Sequence, residues 1–197
     1  SILYTSIDLL FVGFTGLIKE LGSYYVAKRI AGWIGMTSAL GFALGPRLLS
    51  GIGNEEDIRK TIDLVLMFLI PMTVGTILMN KPLVYVFGSK YKLATTPLII
   101  LSLAKIFDII SNLARATIFG LDKVDAYFKI SIKELIKSKI FRVTILNYIT
   151  LAFEIILLFA LTPIYGINGV AFSFLFTTLI SFLTMTYIAF KGMHILD

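Results

Sequence analysis

Five polar residues between positions 102 and 115 recur at the spacing of one face of an α-helix. They are Ser102, Lys105, Asp108, Asn112 and Arg115, here called the polar stripe. The surrounding segment is apolar and long enough to cross a bilayer. A charge at the bilayer centre costs on the order of 3 kcal/mol, so the polar stripe is expected to face other helices or water. It predicts either a cavity for a charged ligand or an internal ladder of ion pairs.

The charges on the polar stripe distinguish these two interpretations only in part. Lys105, Asp108 and Arg115 carry a net charge of +1, which favours an anionic ligand. In the alternative, Asp108 pairs with both Lys105 and Arg115 and the ladder holds the helices together. Both interpretations stay open at this point.

Three further ionisable residues lie in other apolar segments. Arg29, next to Lys28, is a candidate cavity residue or a side chain that snorkels to the membrane interface. Asp8 and Glu154 are candidate coupling carboxylates for ion transport, or partners of the cations on the polar stripe.

The composition favours a membrane protein. The chain is 57% hydrophobic and 15% charged, with a mean hydropathy of +0.91, whereas soluble domains carry roughly 25% charged residues. There is no cysteine and only one histidine, His194, so a disulfide framework or a histidine-based metal site is not expected. We find no nucleophile–base pair and no glycine-rich phosphate loop. The sequence therefore predicts no enzyme activity, cofactor, metal or nucleic-acid partner.

Six apolar segments predict an all-α, polytopic fold of six membrane-spanning helices. The segments cover residues 2–18, 24–49, 62–79, 95–119, 140–161 and 168–190. Turn-forming residues separate them at 51–54, 80–82 and 163–166. The short run 83–87 is expected to form an interfacial turn of helix, and Pro71 to kink the third span.

The positions of lysine and arginine predict the orientation. If the N-terminus is cytoplasmic, ten loop lysines and arginines are inside and four are outside, the four being Lys19, Lys81, Lys90 and Lys92. Four of the ten inside charges lie in a basic linker, residues 122–138. This linker is expected to extend the neighbouring helices into the cytoplasm, to form an amphipathic surface helix against anionic headgroups, or to act only as a topology signal. We therefore expect a multi-pass cell-membrane protein with both termini in the cytoplasm.

Several short motifs occur in a characteristic order. They are Gly22-x-Tyr24-Tyr25-x-Ala27 after Asp8, then Pro46-Arg47, Val86-Phe87-Gly88-x-x-Tyr91-x-x-Ala94, and Gly166-Ile167-x-Gly169-Val170-Ala171. This series resembles the C-terminal half of the polysaccharide-exporting (Wzx-like) flippases, which share a superfamily with MurJ-type flippases and MATE transporters.

The resemblance has implications for architecture and function. It implies that residues 1–197 form one six-helix lobe of a two-lobed flippase and that an N-terminal six-helix lobe is missing. The chain begins in an apolar run without an initiator Met, and we expect it to be a piece of a longer protein. The family moves lipid-linked oligosaccharides across the membrane by alternating access. Arg29, Lys105 and Arg115 would then line its cationic cavity, with Asp108 and Asn112 beside them. The expected partners are the bilayer, a lipid-linked glycan and the other lobe.

Two other functions stay open. An ion-coupled exporter of small molecules could use the same fold, with Asp8, Asp108 or Glu154 as the coupling carboxylate. A non-transporting membrane subunit would use the buried charges only to tie its helices together.

Overall fold

The computed structural model describes residues 2–14, 18–41, 55–121 and 139–193. These ranges are helical apart from short turns, and they contain no strand. The α-helices are α1 (Ile2–Phe14), α2 (Ile18–Gly35), α3 (Glu55–Leu78), α4 (Asn80–Val86), α5 (Thr95–Leu121), α6 (Lys139–Tyr165) and α7 (Ile167–Met193). Two 3-10 helices accompany them, Met36–Gly41 after α2 and Ser89–Ala94 before α5.

Four stretches of helix in the described ranges are long and apolar enough to cross a membrane: Glu56–Leu78, Ser89–Phe119, Phe141–Tyr165 and Ile167–Phe190. The all-helical, multi-pass part of the sequence-based prediction is therefore supported. The first two of the six predicted spans run partly through residues 15–17 and 42–49, which lie outside the described residues. The six-helix count, like the single-lobe organisation, stays a prediction.

Helix α5 lies at the centre of the packing. Its residues contribute to three apolar clusters: Leu98 packs with α1, α2 and α7, Ile109 with α2 and α3, and Ile118 with α6 and α7. In the most apolar part of each membrane-length helix, 44% of the residues are buried in α5 and in α7, but only 17% in α3 and 22% in α6. Helices α3 and α6 are therefore peripheral and expose apolar side chains such as Met67 and Ile156, which suits contact with lipid.

Two glycines with positive φ terminate helical segments. Gly88 (φ 115°) separates α4 from the second 3-10 helix, and Gly166 (φ 57°) separates α6 from α7. Gly166 donates its N–H to the Thr162 carbonyl at 2.8 Å. Since only glycine adopts such angles without a steric penalty, both positions specify where the chain turns back.

Two helices extend beyond the predicted spans. Helix α3 begins at Glu55, seven residues before the predicted span, because the charged run 55–60 forms helix and is stabilised by an ion pair between Lys60 and Glu56 at 2.6 Å. Helix α6 continues through Pro163, in a segment predicted as a turn, and ends only before Gly166. Within the run 83–87, predicted as an interfacial turn of helix, residues 83–86 are helical as part of α4, and Phe87 is the C-cap of that helix.

Candidate functional site

Four members of the polar stripe form a continuous hydrogen-bonded ladder along α5. Lys105 Nζ lies 2.7 Å from Asp108 Oδ2. Asn112 donates its side-chain amide to Asp108 Oδ1 at 3.2 Å, and Arg115 donates to Asn112 Oδ1 at 3.0 Å. The ladder, meaning Lys105, Asp108, Asn112 and Arg115, extends about 15 Å along the helix axis at 1.5 Å per residue.

The connectivity differs from the ion-pair ladder considered from the sequence. Within the described residues, Arg115 is linked to Asp108 through Asn112 and not by a direct ion pair. Among the hydrogen bonds between described residues, one from the ladder leaves α5: Arg115 donates to Asn147 Oδ1 on α6 at 3.0 Å. The hydrogen bonds of the ladder therefore run mainly along one helix, and the buried Arg115 Nε has no partner among the described residues.

The ladder lies at the surface of the described helices. The side chains of Lys105 and Asp108 are 21% and 28% exposed, and Asn112 is exposed. In contrast, the fifth member of the polar stripe, Ser102, is fully buried and donates to the Leu98 carbonyl at 2.7 Å. Ser102 therefore does not contribute to the exposed polar surface.

A second polar group, buried between α1 and α2, contains Asp8. The Asp8 side chain is 3% exposed and accepts hydrogen bonds from Lys28 Nζ at 2.6 Å and from the Tyr24 hydroxyl at 2.7 Å. Lys28, the neighbour of Arg29 in the sequence, therefore points toward α1. Since an isolated buried carboxylate is unfavourable, these contacts explain how Asp8 is accommodated.

Glu154 on α6 is a further buried ionisable residue. It is 3% exposed, and its carboxylate is within electrostatic range of Asp8 and Lys28, and also of Asp108 on the ladder. From the sequence, its expected partners were Lys105 or Arg115. The charged residues within electrostatic range of Glu154 instead include the two carboxylates of Asp8 and Asp108, together with Lys28.

Arg29 belongs to neither group. It lines a cavity of about 290 Å³ beside α1 and α2, together with Lys28, Tyr25 and Trp33. Two cations and two aromatic rings therefore surround one open space. Sequence reasoning named Arg29 but missed both rings, although Tyr25, Arg29 and Trp33 recur at four-residue intervals on α2 and so share a face.

Two sequence-based features lie outside the described residues, the basic linker 122–138 and the Pro46-Arg47 motif. Among the described residues there is no cluster of acidic or histidine side chains that could hold a metal ion.

Comparison of the chain with protein-family models, curated proteins and solved structures gave no match. The geometry of the polar groups is therefore the basis of the functional argument.

Proposed function

We propose that this chain is one lobe of a membrane transporter that moves a lipid-linked oligosaccharide across the bilayer. The observation that carries the proposal is the ladder on α5. It lies on a helix of membrane-spanning length, the side chains of Lys105 and Asp108 are 21% and 28% exposed, and its bonds run mainly within α5. A polar row that faced lipid would be unfavourable, so a water-filled cavity or another polar surface is its expected neighbour.

The charges support an anionic substrate. A diphosphate headgroup that crosses about 30 Å of hydrocarbon must be compensated by cations along its route. Lys105 and Arg115 supply two such cations on α5, and Arg29 supplies another in the cavity beside α1 and α2, where Lys28 is already paired with Asp8.

The aromatic residues of that cavity support a sugar next to the phosphate. Trp33 and Tyr25 offer amphipathic ring surfaces beside the two cations. In this proposal the prenyl tail stays in lipid, the headgroup passes along the polar surface, and rocking of two lobes alternates access.

Export of glycan by the full-length protein tests the proposal. Lys105→Ala and Arg115→Ala should each reduce export at equal protein levels, whereas Lys81→Ala, which removes an exposed cation outside the polar groups, should not. Unchanged export in the double variant Lys105→Ala/Arg115→Ala would contradict the proposal.

A double variant with two uncharged side chains distinguishes anion binding from a purely structural role of the ladder. Lys105→Met/Asp108→Leu removes the cation and its partner carboxylate together, so that neither charge is left unpaired. Anion binding predicts that export stays low in this double variant. A non-transporting, structural role for the ladder predicts that protein levels and function recover.

A second candidate function, an ion-coupled exporter of small molecules, is favoured by the position of Glu154. This buried carboxylate lies within electrostatic range of both Asp8 and Asp108, and interacting carboxylates are typical of sites that exchange protons or cations. Transport of a small molecule that depends on pH or sodium, and loses this dependence in Glu154→Gln, would favour this function over the flippase.

A further inference from the structure

A polar cavity lies where the ends of several helices meet, away from the ladder and the Asp8 group. It has a volume of about 290 Å³ and is formed by the start of α2, the second 3-10 helix with the first turn of α5, and the turn between α6 and α7. Its polar lining includes Glu20, Lys92, Thr96, Tyr165 and Asn168. We call it the helix-end cavity.

The position of the helix-end cavity along the helices fits the level of lipid headgroups. It is lined at the points where one membrane-length helix begins (Ser89–Phe119), another ends (Phe141–Tyr165) and a third begins (Ile167–Phe190). The ends of such helices lie at the boundary between hydrocarbon and headgroups. Tyr165 and Lys92 in its lining are residue types that concentrate at this boundary.

Opposite charges face the helix-end cavity without neutralising each other. Glu20 and Lys92 both line it, yet among the described residues they form no ion pair. The Glu20 carboxylate lies close to the turn between α6 and α7, since a methyl group at Gly166 would lie 3.4 Å from Glu20 Oε2. The cavity therefore presents a carboxylate beside this turn and an ammonium group on the second 3-10 helix.

An unpaired acceptor also belongs to this cavity. The side-chain oxygen Oδ1 of Asn168, a residue of the cavity lining, is buried and has no hydrogen-bond partner among the described residues. A buried acceptor without a donor is unfavourable by about 1–3 kcal/mol, and a carboxamide oxygen can only accept. The missing partner must therefore bring an N–H or O–H group.

We propose that the helix-end cavity binds the headgroup of a phospholipid that carries a primary ammonium group, such as phosphatidylethanolamine. The ammonium donates to the Glu20 carboxylate and to Asn168 Oδ1, and the phosphate pairs with Lys92. The apolar residues Leu93 and Ile167 of the lining receive the glycerol end. This proposal is independent of the transported substrate.

Phosphatidylcholine provides a matched control ligand. Its headgroup has the same phosphate and the same positive charge, but its quaternary nitrogen has no N–H to donate. Since hydrogen bonds to charged groups contribute about 1.5–3 kcal/mol each, the protein should prefer phosphatidylethanolamine by roughly tenfold or more.

The test is competition between the two lipids. The chain is reconstituted in nanodiscs with equal amounts of phosphatidylethanolamine and phosphatidylcholine that have identical acyl chains, and the lipids retained after release are counted by native mass spectrometry. Glu20→Gln and Asn168→Ala should each bring the ratio of retained phosphatidylethanolamine to retained phosphatidylcholine closer to one. Lys92→Gln should weaken the retention of both lipids and leave the preference unchanged. Glu56→Gln, which removes a carboxylate from an exposed ion pair on α3, should change neither quantity.

Several outcomes would overturn the proposal. Equal retention of the two lipids by the unmodified chain would do so, as would a preference that survives in both Glu20→Gln and Asn168→Ala. Two variants are used because one of them could fail to fold, which thermal unfolding would reveal. Soluble glycerophosphoethanolamine is added in a separate arm. If it displaces the lipid as readily as phosphatidylethanolamine itself does, the cavity recognises a soluble molecule and the lipid assignment is wrong.

Discussion

The contact between Asp8 and Lys28 allows a quantitative prediction about stability. Replacing Asp8 with Asn keeps an oxygen that can accept the Tyr24 hydroxyl but removes the negative charge. Removing one partner of a buried ion pair costs about 3–5 kcal/mol. Because the Lys28 side chain is 24% exposed and stays partly hydrated, we expect the lower end of this range, about 3 kcal/mol.

The assay is thermal unfolding followed by the fluorescence of the single tryptophan, Trp33, which lies on α2 near Lys28. For chains of this size, 1 kcal/mol shifts Tm by roughly 2–4 °C, so Asp8→Asn should lower Tm by roughly 6–12 °C. The control is Glu56→Gln. It breaks an ion pair whose side chains are 67% and 70% exposed, for which we expect less than about 0.5 kcal/mol.

A double-mutant cycle isolates the interaction between the two charges. Lys28→Met alone leaves Asp8 buried without a cation at 2.6 Å, so it should also destabilise the chain. The double variant Asp8→Asn/Lys28→Met removes both charges and should lose clearly less stability than the sum of the single changes. Strictly additive losses, or an Asp8→Asn chain as stable as the unmodified one, would refute the assignment of this pair as a stabilising buried ion pair.

Two further predictions concern the packing of α7. Gly169→Ala should lower Tm strongly, because the added methyl group would lie 2.3 Å from the Leu161 carbonyl oxygen, whereas Gly75→Ala, with no atom within 4 Å, should be neutral or stabilising in the same unfolding assay. Ser111→Ala and Ser181→Ala should each lower stability by about 0.6 kcal/mol and be less than additive together, since they share a 3.0 Å hydrogen bond between α5 and α7; additive losses would contradict this.

Hydropathy was enough to locate the membrane-length helices but not their ends. The predicted span 95–119 and helix α5 (Thr95–Leu121) nearly coincide, because here the apolar segment and the helix have the same limits. At α3 they differ, since charged residues 55–60 are good helix formers that extend the helix beyond its apolar part. Hydropathy reports which residues suit lipid, whereas helix ends depend on backbone hydrogen bonding and capping.

Contacts of the candidate site within one helix were predictable from the sequence, whereas contacts between helices were not. The ladder follows from three- and four-residue spacing on a single helix, which can be read directly from the sequence. Its single bond to Asn147 on α6 and the turning of Lys28 toward Asp8 depend on which helices are neighbours. No local pattern specifies that arrangement, although opposite charges in adjacent apolar segments were a signal that Asp8 and Lys28 could pair.

Backbone angles and close packing explain why glycine occupies several motif positions on which the family resemblance is based. Gly88 and Gly166 have positive φ, and a methyl group at Gly22 would lie 3.2 Å from the Tyr91 ring. Residues of this kind are constrained by turns and close packing, so they carry information about the fold more than about a substrate. The functional argument therefore depends on the side chains that packing does not require.

The two polar groups and the apolar periphery together constrain what surrounds this chain. Side chains such as Met67 and Ile156, which are 70% and 64% exposed on α3 and α6, suit lipid. Asp8 is enclosed and paired, so it needs no external partner. The ladder is different, because Lys105 and Asp108 are charged, partly exposed and located on the most central of the membrane-length helices. A surface of this chemistry is compatible with water or with a second polar surface. For this reason, identifying whether water or a second polar surface lies against the ladder is more informative about function than the surroundings of the buried Asp8 group.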